Sequence, residues 1–314
     1  MRLLVTGGCG FIGTNFVRHI FNTHKDISIT NLDKLTYCGK RENLMEFEKS
    51  SRYEFVKGDI CNVELVKKLM KKAEVVINFA AETHVDRSIE KPAIFIKTNI
   101  LGTQTLLQAA LNSKIKKFIH ISTDETYGSL VLNAKDKFTE NTPLQPNSPY
   151  AASKAGSDLL ARSYFKTYGL PTIITRCSNN YGPYQFPEKL IPLSINRVLK
   201  NQPIQLYGDG KNIRDWISVF DHSTAVETVL EKGKAGEIYN IGANTEKSNL
   251  EIAQLILKIL GKPLDQIKFT NDRLGHDRRY AINAKKIQQK LKWKPQIKFE
   301  EGLIKTIEWY KKCN

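Results

Sequence analysis

The chain is short of cysteine, methionine and tryptophan, with five, three and three in 314 residues, and it has no apolar run approaching the length of a membrane span. The cysteines, Cys9, Cys38, Cys61, Cys177 and Cys313, are odd in number and include no Cys-x-x-Cys pair. That spacing argues against a disulfide framework and a zinc site, and fits a reducing compartment; no metal is expected. MRLLVTGG at the start carries one arginine and a very short apolar run leading straight into glycines. It reads as neither a signal nor a transit peptide, so a soluble, cytoplasmic chain is expected, with no membrane partner. Acids are also scarce, 32 against 48 Lys and Arg, giving a net charge of +16. A basic excess attracts polyphosphates. Here Lys outnumbers Arg three to one, and Lys67, Lys68, Lys71 and Lys72 interleave with Val66, Leu69 and Met70 at helical spacing, as on a solvated helix face. No nucleic-acid role is expected, whereas a small anion with a few phosphates suits the charge.

Internal repeats, low-complexity tracts and flexible linkers are absent too, so two interleaved lobes are expected rather than separate beads. Over the first 180 residues short β-branched runs alternate with amphipathic segments. The runs are LLVT at 3, ISITN at 27, YEFV at 53, VVINFA at 75, KFIHIS at 117 and TIITR at 172. Helical patterns lie near 11–22, 62–73, 92–113 and 150–168. Continuous apolar strands alternating with helices indicate a parallel sheet covered on both faces, the α/β doubly wound, Rossmann-type class. Beyond residue 177, Pro183, Pro187, Pro192, Pro203 and the turn GDG at 208 break the rhythm, with helical patterns near 188–200, 221–231, 248–260 and 299–312. The expected division is 1–177 for dinucleotide binding and 178–314 for a smaller substrate lobe, with 214–243 returning to the first and EIYNIG at 237 adding a strand.

TGGCGFIGTNFV follows the first strand and opens the first helix, with Gly7, Gly10 and Gly13 in fingerprint spacing. Glycine there permits a tight turn, close approach of backbone to a pyrophosphate and close helix packing, and the helix N-terminus supplies N–H donors. Asp33 lies twenty residues beyond Gly13, after the second strand, where a carboxylate accepts from a ribose 2′-hydroxyl and repels a 2′-phosphate. NAD is therefore favoured over NADP. Asp59, in KGDIC after the third strand, is placed to touch an adenine edge.

Three Tyr-x-x-x-Lys pairs occur: Tyr53 with Lys57, Tyr150 with Lys154, and Tyr207 with Lys211. The first lies in a strand pattern and the last spans Gly-Asp-Gly. Only Tyr150 and Lys154, in SPYAASKAGSD, share a helical face. A lysine there can lower the tyrosine pKa and hold a ribose while the phenolate acts as base toward a sugar hydroxyl. Ser122 and Thr123 stand upstream at a strand end, where a hydroxyl could bind the reacting oxygen.

The set resembles the extended short-chain dehydrogenase/reductase superfamily. AAETHVDRSIEKPAIFIKTNILGT at 80, ISTDETYG at 121, RCSNNYGPYQFPEKLIP at 176, YGDGKNIRDWISVFDH at 207 and DRLGHDRRYAI at 272 narrow the resemblance to the dTDP-glucose 4,6-dehydratase family, over essentially the whole chain. The acid pair Asp124–Glu125 is its specific part, since related epimerases and decarboxylases lack it. The resemblance implies a catalytic set of Thr123, Asp124, Glu125, Tyr150 and Lys154. Tyr150 takes the 4-hydroxyl proton, Glu125 the carbon-5 proton, and Asp124 protonates the leaving 6-hydroxyl.

It further implies NAD contacts from Phe11 and Ile12 beside the glycines, from Lys34 and Thr36 after Asp33, and from Ile60 after Asp59. Ala80, Ala81, Glu82, Thr98 and Asn180 complete that set, with Tyr150 and Lys154 at the nicotinamide. The nucleotide-diphosphate sugar is assigned to Thr83, His84 and Thr123, to Asn179, Lys189 and Leu190, to Gln205, Tyr207 and Arg214, and to Asn249, Arg273 and His276. Arginine offers bidentate phosphate donors. A homodimer through the long helices near 92–113 and 150–168, and a role in deoxysugar (rhamnose) synthesis, come with the family. Thr126 where the family often has Val, Leu274 where it often has Pro, and a short segment between Gly128 and Tyr150 depart from the usual pattern. A 4-epimerase or decarboxylase on the same scaffold, a non-catalytic dinucleotide-sensing or RNA-binding protein, and UDP in place of dTDP are the alternatives.

Overall fold

The β-branched runs become strands whose two faces are both covered: every residue of Val75–Asn78 and of Thr172–Cys177 is buried. In the computed structural model, which describes residues 1–313, six strands precede residue 178. They are β1 (Arg2–Thr6), β2 (Ser28–Asp33), β3 (Tyr53–Lys57), β4 (Val75–Asn78), β5 (Lys117–Thr123) and β6 (Thr172–Cys177). The chain continues through β7 (Asn179–Tyr181), β8 (Ile204–Tyr207), β9 (Ile213–Ser218), β10 (Ile238–Ile241), β11 (Glu246–Ser248) and β12 (Ile267–Thr270). The large sheet is parallel, in the order β10-β6-β5-β4-β1-β2-β3. Strand order reverses between β1 and β4, and a crevice at such a switch point is where α/β sheets receive ligands.

Helices α1 (Phe11–Thr23), α2 (Val63–Met70), α3 (Val85–Glu90), α4 (Pro92–Phe95), α5 (Thr103–Asn112) and α6 (Pro149–Tyr168) fall between the early strands. After them come α7 (Leu190–Leu199), α8 (Val219–Lys232), α9 (Asn249–Ile259), α10 (Lys285–Leu291) and α11 (Phe299–Cys313). One face of the sheet packs on Phe16, Val17 and Ile20 of α1 and Val226 and Val229 of α8. The other packs on Val66 and Met70 of α2, Leu106 and Ala110 of α5, and Ala161 of α6. A third core unites α7, α9 and α11 through Ile195, Ile256 and Leu303, under the two small sheets β11-β9-β7 and β12-β8. Within 214–243, α8 and β10 join the layers of the large sheet, whereas β9 pairs with β7 and β11. Lys67, Lys68, Lys71 and Lys72 are exposed, as a solvated face requires.

The pattern near 92–113 is not one α-helix. Residues Ile96–Gly102 form a π-helical segment between α4 and α5. Inserted π turns re-aim side chains and recur at functional sites. Here the turn sends Asn99 inward, where its amide donates to Glu82 O (3.0 Å) and Ser153 Oγ (2.8 Å) and its oxygen accepts from Glu82 N (2.9 Å). Helix α6 is fixed at both ends by local chemistry: Ser148 caps Ala151 N, Pro149 occupies the first turn, and Gly169 ends it at φ 71°. Among the described residues no helix is long and apolar enough to cross a membrane.

Candidate functional site

One continuous cleft runs along the carboxyl ends of the strands, from Asp33 and Asp59 past the glycine turn to Tyr150 and Glu125. Its floor is set by backbone packing. Gly7 has φ +72°, and a Cβ there would lie 2.6 Å from Ala80 N, so β1 and β4 approach closely only because this residue is glycine. A Cβ on Gly13 would lie 2.2 Å from Gly7 O. Gly10 precedes α1 and no side chain caps that helix, which leaves the first-turn N–H groups facing the cleft beside Phe11 and Ile12. Asp33 ends β2 with Oδ2 accepting from Cys9 N (2.9 Å) and Oδ1 from Leu35 N (2.8 Å). Burial raises its pKa against those two bonds, and each oxygen keeps a lone pair for a diol. Lys34 pairs with Asp59 at 2.8 Å beside it. Thr36, Ile60, Ala80, Ala81, Glu82, Thr98 and Asn180 line the same cleft, so every residue assigned to a dinucleotide by resemblance meets in one place. An uncapped helix start, a diol-competent carboxylate and a floor without room for side chains fit NAD.

At the other end β5 runs into a 3-10 turn, Asp124–Tyr127, that carries the acid pair. Thr123 caps that turn: its Oγ1 accepts from Glu125 N (3.3 Å) and donates to Asp124 Oδ1 (3.4 Å). Thr126 donates to Thr123 O (2.9 Å), so a hydroxyl at this departure from the family pattern ties the turn. Asp124 is 1% exposed, and its Oδ2 has no hydrogen-bond partner among the described residues. Burial, then the charges of Glu125 and Asp215, push its pKa well above the ordinary carboxylate value. Burial also raises Glu125, but Lys189, Arg273 and Arg214 oppose the rise. Two adjacent acids thus sit in different environments, the arrangement that divides acid from base.

Tyr150 and Lys154 reach the same place from adjacent turns of α6. Tyr150 is 7% exposed, and burial followed by the charge of Glu125 drives the pKa of its phenol well above the ordinary value. Lys154 donates to Ile121 O at 2.7 Å, and burial depresses its pKa to about 8. The other two Tyr-x-x-x-Lys tyrosines differ: Tyr53 is buried in β3 and Tyr207 lies exposed on β8.

Behind the acid turn, Arg176 donates to Asp158 Oδ2 (2.8 Å) and to the Tyr127 hydroxyl (3.0 Å), which donates to Asn240 Oδ1 (2.7 Å). This buried network bolts the turn to α6 and β10.

The residues assigned to the sugar nucleotide divide. Thr83, Asn179 and Lys189 line the cleft, and Lys189 donates to Thr83 O (3.2 Å). His84, Leu190, Gln205, Tyr207, Arg214, Asn249, Arg273 and His276 do not line it. His84 caps α3 and sits 3.5 Å from Glu188, while Leu190 opens α7 and Asn249 opens α9. Gln205 is exposed on β8. Arg214 donates to Ile213 O and Asp277 O and lies 4.1 Å over the Tyr280 ring. Arg273 approaches Asp86 at 3.8 Å, and His276 bonds Asp272 (2.6 Å) with its ring edge-on to Tyr207. Apart from His84, these residues all come from the chain beyond Cys177. Arg214 and Arg273 still act on Glu125 electrostatically. Leu274, the other departure, is 76% exposed.

Sequence reasoning missed Tyr37, Phe186 and Glu188, which also line the cleft. Arg87 lies 3.8 Å over the Tyr37 ring and pairs with Glu188 (3.2 Å). No periodicity marks these loop residues; the available signals are the aromatic in DKLTYCGK and the motif RCSNNYGPYQFPEKLIP, which contains Phe186 and Glu188.

A family model described as GDP-mannose 4,6 dehydratase matches residues 4–306. The chain is 50% identical to a dTDP-glucose 4,6-dehydratase of Xanthomonas campestris, over 98% of this chain and 92% of that protein. The solved dTDP-glucose 4,6-dehydratase of Streptomyces venezuelae, with NAD bound, superposes with a TM-score of 0.96 at 47% identity, covering 99% of this chain and 97% of that one. A UDP-glucose 4-epimerase of Thermotoga maritima, with UDP-glucose, gives 0.91 at 31% identity, covering 100% and 99%.

Proposed function

The chain belongs to the dTDP-glucose 4,6-dehydratase family of the extended short-chain dehydrogenase/reductases, and from that membership we propose that it converts an NDP-glucose to NDP-4-keto-6-deoxyglucose and water. The observation that carries the reading is the placing of Asp124 and Glu125 beside Thr123 and Tyr150 in the cleft that also holds the glycine turn. An epimerase needs the phenol and the cofactor but no second acid and base. The greater similarity to dehydratases than to the epimerase points the same way.

The glycine turn, Asp33 and Lys154 would hold NAD, which would supply an acceptor for the carbon-4 hydride and its return to carbon 6. Tyr150 would remove the 4-hydroxyl proton once the positive charges of Lys154 and of a bound dinucleotide offset the burial that raises its pKa, while Thr123 bonds that oxygen. The ketone acidifies carbon 5, and Glu125 removes its proton. Asp124, kept protonated by burial and by two neighbouring carboxylates, gives its proton to the departing 6-hydroxyl. Glu125 then returns its proton to carbon 5. Lys189, in the cleft, and Arg214 and Arg273, whose charges reach Glu125, are the cations for the diphosphate in this reading, consistent with the chain's basic balance.

The dTDP-linked substrate is favoured over UDP by the relatives' names. One methyl distinguishes the bases, a difference of about 1 kcal/mol in a fitted pocket. A homodimer through the segments near 92–113 and 150–168 belongs to the same reading, and Ile94, Leu101 and Leu159 on those segments are large apolar side chains left exposed. A cytoplasmic enzyme suits the five free thiols. Incubation with dTDP-glucose and with UDP-glucose, read by mass spectrometry, should show loss of one water without net NADH. Unchanged sugar nucleotide from both would end the proposal.

A further inference from the structure

At the end of α1 away from the glycine turn, two histidines converge on one carboxylate. His19 Nε2 lies 2.8 Å from Glu227 Oε2, and His24 Nε2 lies 2.6 Å from Glu227 Oε1. Thr23 Oγ1 donates to that same Oε1 at 3.4 Å. Glu231, one turn further along α8, is on the same face as Glu227. One donor atom from each of His24, Glu227 and Glu231 lies within 4.8 Å of the others. The dehydration chemistry uses none of these residues, and the 13-residue helix α1 carries them roughly 20 Å from the glycine turn.

We propose that His24, Glu227 and Glu231 form a site for a divalent transition ion of the zinc class, with water completing the coordination and His19 holding the free oxygen of the ligating carboxylate. Imidazole nitrogen and carboxylate oxygen are donors that such ions take at about 2.0–2.2 Å. Around a tetrahedral ion those donors stand roughly 3.4 Å apart, so His24 Nε2 and Glu227 Oε1 need part by only about 0.8 Å as the ion replaces the hydrogen that joins them.

Three observations distinguish this group from an ordinary surface ion pair. Its backbone is fixed: His24 N donates to Ile20 O (3.0 Å), Arg52 donates to His24 O (2.6 Å), and Phe16, Val17 and Ile20 of α1 share a core with Val226 and Val229 of α8. An ion therefore meets donors already held together, which lowers the entropy cost of binding. The side chains of His24 and Glu227 are only 25% and 19% exposed, while Glu231 is exposed and leaves an opening for the ion and its water. Glu227 also has His19 on its second oxygen, the outer partner that orients a ligating carboxylate. No sequence motif marks the group, because His24 and Glu227 are 203 residues apart and none of the five thiols belongs to it. A bound ion would clip α1, which opens at the glycine turn, to α8, which returns to the large sheet from beyond residue 177, and would stabilise the fold without entering the reaction.

The test uses the full-length protein after treatment with chelator. Calorimetric titration with Zn²⁺ should show one ion per chain. Co²⁺ in its place should give visible d–d bands without the near-ultraviolet charge-transfer band of thiolate ligation. His24→Gln and Glu231→Gln should each weaken Zn²⁺ binding by roughly tenfold or more, and His19→Gln by about tenfold, the scale of an outer partner. Saturating Zn²⁺ should raise the unfolding temperature of the unmodified chain by a few degrees. Glu231→Gln, at an exposed position, should unfold where the unmodified chain does without metal and should gain nothing from Zn²⁺. No uptake of Zn²⁺, uptake undiminished in both His24→Gln and Glu231→Gln, or a thiolate band with Co²⁺ would overturn the site.

Discussion

The glycine turn after β1 and the acid turn after β5 open onto one cleft, but they are built on opposite principles. At the glycine turn there is no spare room: a methyl on Gly7 or Gly13 would press on backbone atoms. At the acid turn there is room and too little compensation. Asp124 Oδ2, Ser122 Oγ and Ser178 Oγ are buried without partners among the described residues, and Lys154 is buried with only a carbonyl to receive it. The first region binds by excluding everything except a ligand's phosphates. The second is held ready for charge that arrives with the substrate, at a cost in stability. A cofactor end of this kind breaks under steric change, and a reaction end breaks under changes of charge that leave shape untouched.

The largest effect should come from charge without shape. Glu125→Gln is expected to lower kcat by about 10²- to 10⁴-fold while dinucleotide remains bound, and to stall after oxidation with bound NADH visible by its absorbance. Full turnover in that variant would remove Glu125 from the role of base. Shape without charge comes next. Gly13→Ala should weaken dinucleotide retention by roughly 10- to 100-fold, the scale of one to three kcal/mol of overpacking, measured by releasing and quantifying NAD from purified protein. Retention equal to that of the unmodified protein would show that the turn has slack.

Lys154→Met should give the smallest and opposite effect, a gain in stability without dinucleotide on the order of 2 kcal/mol at pH 7, read by denaturant unfolding. The sign follows from burial. The folded pKa of about 8 lies below the ordinary lysine value of 10.5, so the folded state disfavours the charged amine. The penalty is full below about pH 8 and fades as pH rises toward 10.5. The variant's advantage should shrink over that window while its activity stays lost; no gain at pH 7 would mean that the buried amine is better compensated than its single bond to Ile121 O indicates.

The same contrast explains what could be read from sequence. TGGCGFIG and Asp33 are legible because a glycine turn and the end of the next strand lie at fixed spacing in any dinucleotide fold. Tyr150 and Lys154 are legible because a helix brings residues four apart onto one face. Asp124 and Glu125 stand out as neighbours, but their different environments come from Asp215, Lys189 and the two arginines, which the chain supplies more than 60 residues later. Asn99 is invisible because it works through a π turn inside an apparently regular helical pattern. Arg176 reads as the polar end of a strand until Asp158, on another element, is seen to receive it. The split of the sugar-nucleotide residues between those in the cleft and those outside it has the same origin: motifs name Arg214, Arg273 and His276, but their placing depends on contacts with Asp277, Asp86 and Asp272 that no spacing shows.

The most direct test of a self-contained cycle of oxidation, elimination and return follows one hydrogen. With dTDP-glucose deuterated at carbon 4, the product should have lost water and should carry the deuterium at carbon 6, with no label released to solvent or left on added NAD. Deuterium remaining at carbon 4 of an epimerised sugar, or passing into the NAD pool, would contradict the account.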